Sequence, residues 1–286
     1  MYHIGIDLGG TKIEGVVLDH KYNILKRRRV QTPDSYVRIL STIQDIIHDI
    51  DLGGHTIGVG TPGVAGPAGR MLGSNLRYIR SRYLKRDLED ALNTTISMSN
   101  DADCFVSAEA TLGAGAKYNM VFGVIMGTGV GGGISIGGSV ISGSKGMAGE
   151  WGHSILHPNG VSCWCGKRGC VEAYISGPAL QRAWYEKSGT RMNIPDIIEQ
   201  QLPGYEEWRH KFVNNFGLAL SNVIQILNPD CVVLGGGLSN IEFLYGMGSD
   251  IVGQLTPEHN TPIIQNSLGD SAGVVGAALL GATGVL

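Results

Sequence analysis

The sequence predicts an α/β protein made of two related halves that face each other across a cleft. Three observations lead to this. Short apolar runs rich in branched residues alternate with segments of helical spacing along most of the chain. A unit of strand, glycine turn and strand occurs twice. Gly5-Ile6-Asp7-Leu8-Gly9-Gly10 aligns with Gly123-Val124-Ile125-Met126-Gly127-Thr128, and Gly15-Val16-Val17-Leu18 aligns with Gly133-Ile134-Ser135-Ile136, at a constant offset of 118 residues. Finally, the 44 glycines among 286 residues are about twice the usual share. They cluster beside apolar runs, a placement that suits backbone approaching ligands.

Taken in order, Tyr2–Leu8 reads as a buried strand, Gly9-Gly10-Thr11-Lys12 as a tight turn, and Ile13–Asp19 as the returning strand of a hairpin. A third strand spans Ile24–Gln31, and its run Lys26-Arg27-Arg28-Arg29 predicts a solvated edge. Pro33-Asp34 opens a helix whose apolar stripe is Tyr36, Leu40, Ile43, Ile47 and Ile50. His55–Gly60 reads as a strand, Leu84–Leu92 as a helix, Thr95–Met98 as a strand and Ala102–Leu112 as a helix. The second half opens with a strand at Val121–Met126, a glycine turn and a return strand from Ile134. Tyr205–Leu227 carries Trp208, Phe212, Phe216, Leu220, Val223 and Leu227 at spacings of three and four, which predicts a long helix with a core-facing aromatic stripe. Asn228-Pro229-Asp230 stops it. A buried strand at Cys231–Leu234, a helix from about Asn240 and a small-residue helix at Ala272–Leu280 complete the chain.

A net charge of −3 argues against a general nucleic-acid binder. No run of 18 apolar residues and no cleavable leader is evident, so the expected compartment is the cytoplasm, with no membrane partner. In that compartment five cysteines read as thiols or metal ligands before disulfides.

Three glycine turns follow three apolar strands, and glycines there let backbone N–H groups approach a phosphate. The chain has no GxxxxGK[ST] loop. A GxGxxG match at Gly127, Gly129 and Gly132 opens a return strand rather than a helix, which fails the context of a dinucleotide site and of a nicotinamide-dependent dehydrogenase. Thr11 and Thr128 add hydroxyl donors at two of the turns. Asp7 stands inside an otherwise apolar strand just before the first turn. A buried carboxylate needs a partner, and beside phosphates hydrated Mg²⁺ is the natural one, with turn amides as the bland alternative. His153 and, after a gap of nine residues, Cys163, Cys165 and Cys170 supply four ligands for a closed tetrahedral Zn²⁺ site, with Gly166 and Gly169 permitting the turns. Cys104 and Cys231 read as ordinary buried thiols. Asp101, in Ser99-Asn100-Asp101-Ala102-Asp103, reads from local sequence either as a helix cap or as an acid projecting into the cleft.

Ile6-Asp7-Leu8-Gly9-Gly10-Thr11-Lys12, the turn at Gly127–Gly129, and Leu234-Gly235-Gly236-Gly237 resemble the phosphate and adenosine motifs of the sugar kinase/actin/Hsp70 superfamily. With the complete His and Cys signature, they more specifically resemble the ROK family (repressors, open reading frames, kinases), and the resemblance covers essentially the whole chain. It implies an actin-like ATPase (ribonuclease H-like) fold with an interdomain cleft. Residues 1–115 would form a small N-terminal α/β domain, completed by a C-terminal helix at 271–286, and residues 116–270 a larger domain carrying the zinc site. It also implies ATP-dependent phosphorylation of a hexose, through the 6-hydroxyl of fructose, glucose or an N-acetylhexosamine. The nearest resemblance is to bacterial fructokinase-like and N-acetylglucosamine kinase-like members.

On that resemblance Asp7, Gly9, Gly10, Thr11, Lys12, Gly127, Thr128, Gly129, Gly235 and Gly236 contact ATP, with Asp7 holding Mg²⁺ through water. Gly63, Asn75, Asn100, Asp101, Glu150, His153 and Glu172 line the sugar pocket. Asp101 is the general base. A homodimer is expected. The alternatives are a non-catalytic sugar-binding regulator and a repressor; the latter carries an N-terminal winged helix-turn-helix, for which a first strand beginning at residue 3 leaves no room. Arg77, Arg80, Arg82, Lys85 and Arg86 make the segment after Gly63 basic. It reads as a solvated loop and helix start, or as an attractor for an anionic sugar or another subunit.

Overall fold

A computed structural model describes every residue except Pro67, Asn75, Val285 and Leu286. The chain runs β1 (Tyr2–Leu8), β2 (Lys12–Leu18), β3 (Ile24–Gln31), α1 (Tyr36–Ile50), β4 (His55–Thr61), a short pair β5 (Val64–Ala65) and β6 (Met71–Leu72), α2 (Leu84–Leu92), β7 (Ser97–Asn100) and α3 (Asp101–Thr111). It continues through β8 (Met120–Met126), β9 (Val130–Ile136), β10 (Ser139–Val140), α4 (Glu172–Ile175), α5 (Gly177–Ser188), α6 (Ile194–Gln200), α7 (Tyr205–Leu227), β11 (Cys231–Gly235), α8 (Met247–Leu255), β12 (Ile263–Gln265) and α9 (Ala272–Thr283).

Two five-stranded sheets have the same plan. The first is ordered β3-β2-β1-β4-β7 and the second β10-β9-β8-β11-β12. In each, an antiparallel three-stranded edge continues into two parallel strands. The internal repeat is therefore real, but its offset is not constant. Leu8 pairs with Ile13 across four turn residues, whereas Met126 pairs with Val130 across three. The second turn is one residue shorter, so β9 is displaced by one position from the alignment at 118. In strands such a slip exchanges faces.

The sheets are joined through α3 and α9. These helices share one core with Val16 and Leu18 of the first sheet and Val121, Cys231 and Val233 of the second. Small residues make this contact possible. A Cβ on Gly276 of α9 would collide with the Cys104 carbonyl of α3, and one on Gly58 of β4 with the Ala277 carbonyl. Many of the surplus glycines thus serve helix-to-strand approach, where the composition pointed to ligand approach. The far face of the first sheet is covered by α1 and α2, through Ile39, Ile43, Ile46, Ile47, Leu84 and Leu88. The far face of the second is covered by α5, through Trp184, and by α7, whose stripe is buried at Trp208, Phe212, Phe216 and Leu220 and half-buried at Val223 and Leu227.

Local outcomes follow from capping and pairing. The N-cap of α1 is Ser35, whose side chain accepts from the Arg38 N–H. The strand predicted at Thr95–Met98 lies two residues later, where it pairs in parallel with β4. The helix expected from Asn240 does not form there. Two short 3₁₀ turns, Gly237–Asn240 and Glu242–Leu244, precede α8. β3 is an edge strand, yet its cations are not merely solvated. Arg29 Nη2 lies 2.6 Å and Arg27 Nε 3.3 Å from the buried Glu14 carboxylate, and Arg28 pairs with Asp49 on α1. No described helix is long and apolar enough to cross a membrane.

Candidate active site

Asp7 is the last but one residue of β1, just before the first glycine turn. The turn is closed by the Gly9 N–H donating to the Lys12 carbonyl at 2.9 Å. It is clamped by Thr32, whose hydroxyl donates to the Gly9 carbonyl at 2.7 Å while its N–H donates to the Thr11 carbonyl. Sequence reading missed Thr32, because it lies just past the end of β3 and joins the turn only through sheet pairing. Gly10 faces open space. Lys12 sits 3.5 Å from Glu14. Burial, then the charges of Asp101 and Glu14, push the Asp7 carboxyl up to about 6. Among the described residues it makes no hydrogen bond. A crowded, unpaired carboxylate beside two others is a donor set that fits a hydrated divalent cation.

Asp101 and Asn100 stand where β7 meets α3. Asn100, not Asp101, caps the helix: its Oδ1 accepts from the Asp103 N–H at 2.6 Å, leaving Nδ2 as a donor. Asp101 Oδ1 accepts from the Ala102 N–H at 2.9 Å. The Asp101 side chain reaches solvent in the cleft while protein crowds its other sides, and that crowding raises its pKa. Glu150, itself exposed, faces Asp101 and Asp103 closely enough to raise both. Asp103 is buried, accepts from the Ser99 hydroxyl at 2.7 Å, and is pushed by burial up to about 6. A cavity of about 220 Å³ beside this junction is lined by Thr61, Gly63, Lys85, Asn100 and Asp103, among others. Gly63 has φ +88°, where only glycine fits against the neighbouring Leu72 carbonyl. Asn75, the expected sugar contact in the following segment, lies outside the described residues. In the basic segment Arg77 stacks on Tyr78, Arg86 on Tyr83 and Arg82 on Tyr36, so these guanidinium groups are held on aromatic faces.

The four residues of the cysteine segment converge. One ligand atom from each of His153, Cys163, Cys165 and Cys170 lies within 4.8 Å of the others. Cys163 Sγ is 3.7 Å from His153 Nδ1 and Cys165 Sγ 3.6 Å from Cys170 Sγ. A tetrahedral site with Zn–S near 2.3 Å has an edge of about 3.8 Å, so the set fits zinc. Burial and the neighbouring sulfurs push the Cys170 thiol up to about 12, and a divalent cation among the sulfurs reverses that bias. Gly166 and Gly169 have φ of +90° and +80°, as the turns require. With Nδ1 turned to the sulfurs, His153 keeps Nε2 for another partner. Glu172 opens α4, only 9% exposed, and its Oε2 accepts from the Val130 N–H at 3.0 Å.

A larger cavity of about 1070 Å³ opens beyond the second turn. Gly127, Thr128 and Gly237 form its polar end. Ile194, Ile198, Ile241 and Phe243 form an apolar wall, with Asn193, Glu199 and Asn240 at the rim. A glycine-turn end rich in backbone amides, continuous with an apolar slot, suits a nucleoside phosphate. Gly235 and Gly236 do not line it: a Cβ on Gly235 would meet the Phe105 ring and one on Gly236 the Met126 carbonyl. The segment around α5 and α6 gave no sequence signal, because its contributions are single side chains on otherwise ordinary helices.

The ROK family matches residues 3–283. The N-acetyl-D-glucosamine kinase of Pasteurella multocida (strain Pm70) is 36% identical over 298 positions, covering 96% of this chain and 98% of that one. Among solved structures, a ROK hexokinase from Thermus thermophilus superposes with a TM-score of 0.89 at 29% identity, over 98% of this chain and 97% of that one. A ROK family glucokinase from Streptomyces griseus, in complex with glucose and AMPPNP, gives 0.81 at 27% identity over 99% and 100%. These neighbours share the two-sheet architecture with its central cleft.

Proposed function

The chain belongs to the ROK family, and on that premise we propose that it transfers the γ-phosphoryl group of ATP to the 6-hydroxyl of a hexose, with N-acetylglucosamine the favoured substrate. The activity is ATP-dependent sugar phosphorylation. The observation that carries the assignment of the base is the division of labour at the start of α3. Asn100 satisfies the helix terminus, so the Asp101 carboxylate is left facing the cleft with a raised pKa, suited to accept a hydroxyl proton. The relatives named N-acetyl-D-glucosamine kinase support the choice of sugar.

In this reading residues 1–115 with the C-terminal helix form one lobe and residues 116–270 the other. The sugar lies between Gly63, Asn100, Glu150, His153 and Glu172. The Gly9–Thr11 and Gly127–Gly129 amides, with Thr11, Thr128 and Lys12, hold the triphosphate. Asp7 would hold a hydrated Mg²⁺, which would neutralise phosphate charge. Asp101 takes the proton from the attacking hydroxyl as the oxygen bonds to phosphorus and the bond to ADP breaks. Approach of the two lobes excludes water, the competing acceptor. A zinc ion on His153 and the three cysteines would fix His153 and Glu172 where the sugar site meets the Gly127–Gly129 turn. We place the protein in the cytoplasm, where ATP and reduced thiolates coexist, and as a homodimer that covers the exposed Ile226 of α7 and Leu255 of α8.

Release of ADP measured against a panel of neutral, N-acetylated and acidic hexoses tests the reading. The expected result is turnover with a neutral or N-acetylated hexose, highest kcat/KM for N-acetylglucosamine. Nucleotide hydrolysis unaffected by every sugar would remove the kinase assignment.

A further inference from the structure

Trp164 occupies the position between two zinc ligands, Cys163 and Cys165, where the metal itself requires no particular side chain. It is 60% exposed, unusual for a tryptophan with no packing role. Its indole is nevertheless fixed. The Nε1–H donates to Glu172 Oε1 at 2.5 Å, and the ring meets His153 edge-on at 5.1 Å between centroids. The other oxygen of the same carboxylate, Oε2, accepts from the Val130 N–H at 3.0 Å, the first amide after the Gly127–Gly129 turn. A Cβ on Gly129 would lie 2.9 Å from that oxygen, so the carboxylate packs directly under the turn. The Gly177 N–H, five residues beyond Glu172, donates to the Gly127 carbonyl at 2.7 Å and ties down the turn's other end.

We propose that Trp164 is a positioning residue: by holding one oxygen of Glu172 it aims the other at the Val130 amide and so fixes the Gly127–Gly129 turn for nucleotide binding. Both lone donors converge on one buried carboxylate, and each fixes the orientation the other needs. Without the indole N–H the carboxylate rotates toward solvent through the gap the tryptophan leaves, and the turn loses its brace. The exposed zinc loop is thereby joined mechanically to the phosphate end of the cleft. This rests on the reading of that turn as a triphosphate site.

The test is Trp164→Phe, which keeps an aromatic ring and removes the donor. The protein should retain one zinc per chain and its secondary structure. Its Kd for Mg-AMPPNP, measured by calorimetry, should rise about three- to tenfold, the range for a charge-assisted hydrogen bond partly replaced by water. kcat at saturating ATP should stay within about twofold, since no reacting atom is touched. A Glu172→Gln background closes the cycle. If Trp164 acts through Glu172, adding Trp164→Phe to Glu172→Gln changes Kd by less than about twofold. A wild-type Kd in Trp164→Phe, or effects of the two substitutions that multiply, overturns the proposal. Wild-type protein that binds nucleotide but phosphorylates no sugar removes the kinase reading and leaves this cycle decisive. Wild-type protein that binds no nucleotide removes both.

Discussion

Asn100 caps α3 through Oδ1, so a change at its neighbour leaves the helix start intact. Asp101→Asn keeps an oxygen for the Ala102 N–H and keeps the side-chain volume; only the proton acceptor goes. We expect kcat to fall by about 10² to 10⁴, with sugar affinity changed far less. Single-turnover rates and sugar titrations check this, and retention of more than about a tenth of wild-type kcat would move the base elsewhere. Asp7→Asn should behave differently, with a defect in MgATP that partly yields to higher Mg²⁺. Local sequence left Asp101 open between cap and base. Which residue caps was not legible there because Asn and Asp are both good caps, and the fold gives the capping to Asn100.

Among the elements, the zinc loop and the glycine turns carry separate predictions. Cys165→Ser removes one thiolate from a closed four-ligand set, and metal analysis should show zinc content falling well below one per chain, with the 153–172 segment losing protease resistance. Full metal content in that variant would rule out this ligand set. Gly236 has φ +78° and its missing Cβ would strike the Met126 carbonyl. Gly236→Ala should therefore cost several kcal/mol of stability, from strain and overlap together, read as a lowered denaturant midpoint. The cysteine spacing made the convergence of His153, Cys163, Cys165 and Cys170 legible because all four lie within one short segment. The Glu14 cluster was not legible, since Arg27 and Arg29 reach it only through the β2–β3 register.

At the scale of the molecule, folding concentrates carboxylates in the cleft. Asp7 and Asp103 are each raised from 3.8 to about 6, chiefly by burial. The folded chain therefore binds more protons than the unfolded chain between those values. The contribution of these groups to stability falls as pH rises from about 4 to about 6, and stays low above that. Metal-free protein should accordingly gain from these groups between pH 7 and pH 5. Thermal melts should show a weaker dependence over that interval in Asp103→Asn, and saturating Mg²⁺ should flatten the Asp7 part by favouring its ionised form. Activity should fall toward acid pH as the cleft carboxylates, the raised Asp101 among them, take up protons as a coupled set. Equal slopes for wild type and Asp103→Asn would show that Asp103 does not contribute.

By itself the sequence determined the elements with strong local signals. The glycine turns after β1 and β8, the aromatic stripe of α7 and the His/Cys segment each encode their structure within a short stretch of chain, through periodicity or ligand spacing. It also determined the duplication, because the repeated unit is contiguous. Tertiary structure decided what depends on neighbours distant in the chain. It set the one-residue difference between the two turns, which is a matter of strand register. It set the use of Gly58 and Gly276 for backbone contact rather than ligand approach, because no local pattern says which helix crosses which strand. It placed Trp164 against Glu172, where two exposed-looking residues eight apart share a hydrogen bond only because the cysteine loop folds back on α4. The physical reason is common to all three: propensity and spacing act over a turn or two of chain, whereas packing, register and buried charge are settled by whatever the fold brings alongside.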